Sequence, residues 1–425
     1  MSSTATAILA PPRVAAAIRA TYAAFIASGF AFASWASRIP QVRDRLHLSP
    51  AGLGLVLLSI AAGSLVALPL AGVIVHRLNS RRTVASMSVA LAAGLGIVAV
   101  GYLGGVVPVL GGLFVLGFAN GAWDVAMNVQ GATVERHLGR SIMPRFHAGY
   151  SAGTVAGALL GVLMVAGHVS VTVHLLVVAA LIALVVPFAV RAFVADVAAA
   201  VAAAVAADAD VNAAVETDAA AEAPDSPRAR SSAGTALARW REPRTLVIGV
   251  VVLAFAFSEG SGNDWITVAL IDGYHAPAVV GTLCFATFLA AMTGLRWFGT
   301  GLLDRYGRVP VLRGLAAVAV LGLLLFVFSP YTPLAFAGAA LWGCGASLGF
   351  PVGMSAAADD PAAAASRVSV VASIGYCAFL GGPPLIGFLG DHLTVLRALL
   401  AVVVMLAVAT VLTNALRPLP AGQRG

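Results

Sequence analysis

The stretch GYSAGTVAGALLGVL at residues 149–163 has a counterpart, GYCAFLGGPPLIGFL, at residues 375–389. Both begin with Gly-Tyr, and a further glycine, Gly161 or Gly387, stands at the same place in each. Each stretch is apolar enough to belong to a membrane helix, which needs about 20 apolar residues. The pair indicates a membrane protein built from two related halves.

Two more matches support this internal repeat. Trp35 in GFAFASW matches Trp265 in EGSGNDW, and His76 matches Asp304 in two Arg-containing loops. Both pairs have nearly the same offset along the chain as the two Gly-Tyr stretches. One match alone is weak in a sequence of such low complexity. Three matches in the same order, with nearly constant offsets, predict a duplicated six-helix unit.

The composition excludes most soluble classes of protein. Of 425 residues, 60% are hydrophobic and 10% are charged, whereas a soluble domain has about 25% charged residues. All 25 basic residues are arginines, spread in small clusters between apolar runs, which argues against a nucleic-acid partner. The three cysteines lie in apolar runs without metal-ligand spacing, and no nucleotide-binding loop is present. The sequence therefore predicts no cofactor and no metal.

Twelve apolar runs are long enough to cross a membrane, which predicts an all-α membrane protein. They cover approximately residues 14–37, 51–76, 83–103, 106–132, 144–167, 170–193, 245–271, 278–299, 309–328, 332–355, 366–389 and 393–416. Most arginine clusters fall on the side that carries both termini, so we expect that side to be cytoplasmic and the membrane to be the plasma (inner) membrane. Arg38, Arg43 and Arg45 fall on the other side, either as a functional element or as a tolerated short basic loop.

The chain divides into three parts by composition. Residues 1–193 and 244–425 hold six predicted spans each, and residues 194–243 are Ala-rich and then Ser/Arg-rich. The middle part lacks the apolar surface that would order it. We expect two six-helix bundles joined by a largely disordered cytoplasmic linker, in a protein that is monomeric.

The sequence DRYGR at residues 304–308 is similar to the inter-helix motif of the major facilitator superfamily. In the first-half copy, His76 replaces the acid and Asn79 replaces the glycine, which puts a standard charge relay there in doubt. A narrower resemblance is to the MosC-like and YbjJ-like branch. It is carried by SRIPQVRDRLHLS (37–49), WDVAMNVQGATVER (123–136), SIMPRFHAGYSAG (141–153), EGSGNDW (259–265) and RVSVVASIGYCAFLGGPPLIGFL (367–389). The Asn of span 4 and RFHAGYSAG also resemble fucose-permease-type sugar symporters. These resemblances imply the major facilitator fold and transport of a small polar or sugar-like solute.

Polar side chains within predicted spans are the candidate site, because such groups usually face a cavity, a partner or a pathway. Span 7 supplies Glu259 and Asn263, one turn apart on one face, and Asp264 nearer its outer end, where simple hydration is the alternative. The other candidates are Trp123, Asp124 and Asn128 of span 4, His147 of span 5 and Tyr376 of span 11. We interpret this set as a substrate and proton site. The alternatives are interhelical packing for Trp123, a simple hydrogen bond to a neighbour for His147, and a buried network with polar neighbours such as Ser258 for Glu259.

A second group of residues lies at the predicted cytoplasmic ends of the spans. It comprises Asp304, Arg305, Gly307, Arg308, Arg77, Arg81, Glu135, Arg136 and Arg145. We interpret it as a cytoplasmic gate held by ion pairs; solvated loop charge is the alternative, since surface pairs contribute little.

Together these features predict a secondary active transporter, with protons as the natural coupling ion and sodium still open. A proton-antiport efflux pump for drugs or metabolites is the first alternative, because one architecture serves both directions. A membrane enzyme is a remote alternative, since no HExxH, Asp-rich or Ser/His/Asp set is present. A sensor built on a transport fold would need a soluble output domain, which the linker does not resemble.

Overall fold

The computed structural model describes residues 11–139, 142–195, 239–360 and 363–418, so most of the predicted linker lies outside the described residues. These ranges consist of helices joined by short turns. The helices are α1 Pro11–Ala36, α2 Ile39–Arg45, α3 Pro50–Gly101, α4 Val106–Leu138, α5 Met143–Ala166, α6 Val171–Ala189, α7 Pro243–Tyr274, α8 Ala278–Phe298, α9 Thr300–Tyr306, α10 Arg308–Phe328, α11 Thr332–Ala346, α12 Gly349–Ala357, α13 Ala364–His392, α14 Val395–Ala398 and α15 Leu400–Leu412.

Within the described ranges, eleven helical segments are long and apolar enough to cross a membrane. One of them, α3, contains two of the twelve predicted spans. Its 52 residues would extend about 78 Å at 1.5 Å per residue, far more than the hydrocarbon core of about 30 Å. The backbone of Asn79 is not helical, with φ 66° and ψ 163°, so the chain turns back there. The predicted all-α membrane architecture is confirmed.

Asn79 and Gly307 have the same backbone conformation at equivalent places in the two halves. Gly307 has φ 81° and ψ 167°, and it follows Asn79 at the same offset at which Asp304 follows His76. This conformation is essentially restricted to glycine, so Asn79 holds it at a cost of about 1–3 kcal/mol in backbone strain. The Asn79 side-chain oxygen also accepts a hydrogen bond from the Arg82 amide at 3.0 Å, which caps the helix that follows. The departure from glycine in the first-half loop is therefore accommodated without losing the turn.

We name the two ends of the bundle by the linker. The linker end carries Ala192 and Pro243, which flank the linker, and the far end is opposite. The halves touch where α3 packs on α13 and α5 packs on α8. The α3–α13 contact is tightest at the far end: a Cβ added at Gly54 would lie 2.5 Å from the Pro383 carbonyl oxygen, so no larger residue fits there.

At the linker end the two halves are not joined in the same way. The ion pairs described there connect residues of the second half to one another. The side chains of Arg77, Arg81 and Arg145 of the first half are exposed. Tight contacts thus join the halves at the far end, whereas no ion pair in the described ranges joins them at the linker end.

Candidate substrate and proton site

A charged pair joins α7 and α8 in the space between the halves. The guanidinium Nη2 of Arg296 donates to the Glu259 carboxylate at 2.7 Å, and the two side chains are only 22% and 17% exposed. The Arg296 Nε also donates to the Ser347 carbonyl oxygen at 3.0 Å. Arg296 therefore has two hydrogen-bond acceptors, the titratable Glu259 carboxylate and the Ser347 carbonyl.

The Ser347 carbonyl is free to accept this bond for a local reason. Its helical partner would be the amide four residues later, but that residue is Pro351, which has no N–H. The helix accordingly breaks between α11, which ends at Ala346, and α12, which begins at Gly349. The predicted span 10 is thus two helices, and the break supplies the anchor for Arg296.

A second polar chain runs from α4 to α5. The Asn128 side-chain amide donates to the backbone oxygen of Asp124 at 2.8 Å and to its carboxylate at 3.3 Å. The Asn128 oxygen lies 3.2 Å from Nε2 of His147. His147 is exposed, whereas Asp124 and Asn128 are partly buried. The chain connects a partly buried carboxylate with an exposed imidazole.

The two polar groups lie within range of each other around Tyr150. The charges of Asp124, Glu259 and Arg296 and the hydroxyl of Tyr376 all interact electrostatically with the Tyr150 hydroxyl. Tyr150 belongs to α5 and Tyr376 to α13, and they are the matching tyrosines of the sequence repeat. Side chains from five helices and from both halves therefore converge on one polar region.

Asn263 and Asp264 extend this region along α7. The Asn263 side-chain oxygen is buried and accepts no hydrogen bond from the described residues. Asp264 is partly buried, and within the described ranges its carboxylate likewise has neither a hydrogen bond nor an ion pair. Trp123 differs, because it is fully buried and its indole N–H meets no acceptor in the described chain. In this conformation Trp123 packs within the protein and offers no face to a solute.

Sequence reasoning missed three residues of this region: Asn120, Tyr150 and Arg296. Asn120 lies one turn before Asp124 and accepts a hydrogen bond from Ser28 at 3.0 Å. Its signal was the four-residue spacing that puts Asn120, Asp124 and Asn128 on one helical face. The signal of Arg296 was a lone charge inside an apolar span.

The predicted gate residues do not form one network in this conformation. Asp304, Arg305 and the first-half gate arginines are exposed; these are Arg77, Arg81, Arg136 and Arg145. Glu135 instead caps α5, because its carboxylate accepts the amides of Ile142 and Met143 at 2.6 and 2.7 Å. Its charge at a helix N-terminus is favourable.

The ion pairs at the linker end use acids that sequence reasoning did not single out. Arg308 contacts Asp359 at 2.6 Å, and Arg244 contacts the other oxygen of Asp359 at 2.9 Å. Arg367 pairs with both Asp360 and Glu242. The Arg367 guanidinium lowers the pKa of Glu242 to about 2. These pairs fix the helix ends of the second half to one another.

Comparison with known proteins identifies the family. The model of the Major Facilitator Superfamily matches residues 20–380. The chain is a member of the Major Facilitator Superfamily. It is 31% identical over 401 residues to the uncharacterized transporter y4wD of Sinorhizobium fredii, covering 94% of this chain and 98% of that protein. It is 27% identical to the membrane protein MosC of Rhizobium meliloti, covering 91% of this chain and 88% of that protein.

Solved structures of the superfamily share the fold. The nucleoside transporter NupG aligns with a TM-score of 0.69 at 16% identity, covering 93% of this chain and 98% of NupG. A D-xylose-proton symporter aligns with a TM-score of 0.66 at 11% identity, covering 96% and 98%. The chain is thus a multi-pass membrane transporter and not an enzyme, and the predicted resemblance to the MosC-like branch is confirmed.

Proposed function

We propose that this transporter moves a small polar solute by alternating access and couples that movement to protons. The observation that carries the proposal is the Glu259–Arg296 pair, which lies in electrostatic range of the Asp124–Asn128–His147 chain in the open space between the halves. Titratable groups inside a membrane bundle are costly and usually functional. The oxygens of Asn263 and Asp264 on the same helix accept no hydrogen bond from the described residues. Such acceptors suit a solute rich in hydroxyl groups.

The arrangement suggests how a proton could act. Protonation of Glu259 cancels its charge and weakens its bond to Arg296. Arg296 stays in place because the Ser347 carbonyl still holds its Nε. Its remaining N–H groups, with the Asn263 oxygen, can then bind solute. His147 and Asn128 offer the hydrogen-bonded route between Asp124 and water at the linker end.

We also propose the setting in which this cycle runs. The distribution of arginines makes the linker end cytoplasmic, so the described conformation is open to the cytoplasm and both termini lie inside. The membrane is then the plasma membrane, and the protein acts as a monomer of two bundles, residues 1–193 and 244–425. The exposed arginines and Gly307 turn of the linker end belong to the gate that closes in the opposite state.

A ligand screen followed by a flux measurement tests the proposal. Purified protein is heated with sugars, inositols, amino acids and drugs at two pH values, and a true ligand raises the unfolding temperature by mass action. The compound that does so is then added outside proteoliposomes that contain the protein, with and without a pH gradient across the membrane. We expect gradient-driven accumulation for the wild type. Accumulation that ignores the pH gradient contradicts proton coupling.

A further inference from the structure

An ion pair crosses between the halves at the far end. Arg43 of α2 donates through both terminal nitrogens to Asp272 of α7, and the Nη2–Oδ1 distance is 2.9 Å. The same guanidinium bonds Asp44 of its own half through Nε at 2.9 Å and Nη2 at 2.7 Å. The Arg43 side chain is 11% exposed, and those of Asp272 and Asp44 are 39% and 58% exposed. One buried cation thus has one partner in each half.

A second polar contact crosses at the same end. Asp391, near the end of α13, accepts hydrogen bonds from the Ser49 hydroxyl and the Ala51 amide, both at 3.1 Å. These donors belong to the first turn of α3 in the other half. A carboxylate at a helix N-terminus is favoured by the free amides and the helix dipole. Asp391 therefore caps the start of α3, and these two hydrogen bonds must break when the halves separate at the far end.

The positions of Arg43 and Asp272 in the repeat explain why they meet. Asp272 follows Arg43 along the chain at nearly the same offset at which Trp265 follows Trp35, so the two residues occupy equivalent positions in the two halves. Halves of this superfamily are related by an axis along the membrane normal. Equivalent positions touch only where both lie near that axis. Any motion that opens the far end along the axis must therefore pull Arg43 away from Asp272.

We infer that these two contacts, Arg43–Asp272 and Asp391 with the start of α3, form an outer clamp that keeps the far end closed. Asp44 makes the clamp reversible. When Asp272 moves away, Arg43 keeps a carboxylate partner in its own half, and Asp272 gains water at an already accessible position. Neither state leaves a buried charge without a partner, an arrangement that is strongly unfavourable. The inference rests on alternating access in the proposed function, and not on the solute or the coupling ion.

A cysteine reporter at the far end measures the clamp without any solute. Thr282 of α8 is fully buried, and its methyl group lies next to Gly161 of α5, across the interface between the halves. The variant Thr282→Cys is made with the three native cysteines replaced by alanine, and its reaction rate with a hydrophilic maleimide is measured in nanodiscs. We expect Asp272→Asn to raise this rate about fivefold, which corresponds to about 1 kcal/mol since 1.4 kcal/mol is tenfold.

Matched variants decide the result. Asp44→Asn leaves the contact across the halves intact but removes the partner that Arg43 keeps when the far end opens, so it should react at or below the wild-type rate. Asp391→Asn alters an exposed side chain that has little influence on folding and should also raise the rate, so it decides the outcome if Asp272→Asn does not fold. An unchanged rate in Asp272→Asn, or an equal rise in Asp44→Asn, overturns the clamp. If the wild type shows no proton coupling in flux assays while the labelling rates are as expected, the proposed function is overturned and the clamp is not.

Discussion

Replacing Glu259 with glutamine tests the central pair most directly. The substitution keeps the shape of the side chain but leaves the Arg296 charge without a carboxylate. Two unit charges about 4 Å apart attract by about 4 kcal/mol at an effective dielectric constant of 20. Removing one partner of a buried pair costs about 3–5 kcal/mol. Because both side chains retain some exposure, 17% and 22%, and Ser347 still holds Arg296, we expect a loss at the lower end, about 3 kcal/mol.

The measurement is a double-mutant cycle on unfolding by SDS in mixed micelles. Glu259→Gln and Arg296→Gln should each destabilise by about 3 kcal/mol, and the double variant should recover most of the loss. If the double variant loses only about 1 kcal/mol, the coupling energy is about 5 kcal/mol. The double variant then separates stability from function, because it should fold well yet transport without response to a pH gradient. A coupling energy below about 1 kcal/mol would show that the pair behaves like an exposed one and refute this reasoning.

Three other perturbations follow from the structure. Asn128→Leu removes the link between Asp124 and His147 and should lower gradient-driven uptake at least about tenfold, whereas the control His137→Gln on the same helix should not. The wild type should lose about 1–2 kcal/mol of stability between pH 4.5 and pH 2, because the folded protein holds the pKa of Glu242 at about 2 against an ordinary 4.5 while solvent screens this partly exposed carboxylate. The lowered pKa stabilises the fold above that window, and Glu242→Gln should flatten the loss in the free energy of unfolding measured across it. Asn79→Gly should raise the free energy of unfolding by about 1 kcal/mol, because glycine alone adopts this conformation without strain, and Asn79→Val should lower it by about 1–3 kcal/mol because a branched side chain is more strained there. Equal stability of the two variants would mean that this turn carries no strain.

Much of the fold could be predicted because the lipid environment leaves few choices. Spans are marked by length and hydropathy, and the repeat fixes how many there are. The structure differs from the prediction where single residues act on the backbone. Pro351 marks span 10 as an irregular helix already in the sequence, but the residue that uses the freed carbonyl, Arg296, depends on how the helices pack. Asn79 was identified as a departure from the motif, but its capping bond to Arg82 depends on the local geometry.

The site was harder to predict, since periodicity tells which residues share a face but not which helices are neighbours. Glu259 was singled out from its own helix, while its partner Arg296 lies on the next helix, α8. Arg296 stands near the end of an apolar span, where a charge is also expected to reach the membrane surface. Trp123 shows the opposite error: an aromatic residue beside polar neighbours suggested a binding face, and packing buried it fully.

Tyr150 and Tyr376 show what a duplicated chain can keep and what it must change near its axis. Two identical halves would place like residues opposite each other. Tyrosines tolerate this arrangement, because each hydroxyl can both donate and accept a hydrogen bond. An arginine opposite an arginine would repel, and so would two aspartates. An ion pair between equivalent positions, such as Arg43 with Asp272, therefore requires two halves whose sequences have diverged within one polypeptide. A dimer of two identical six-helix chains could keep the tyrosines near its axis, but it could not form this ion pair of the outer clamp.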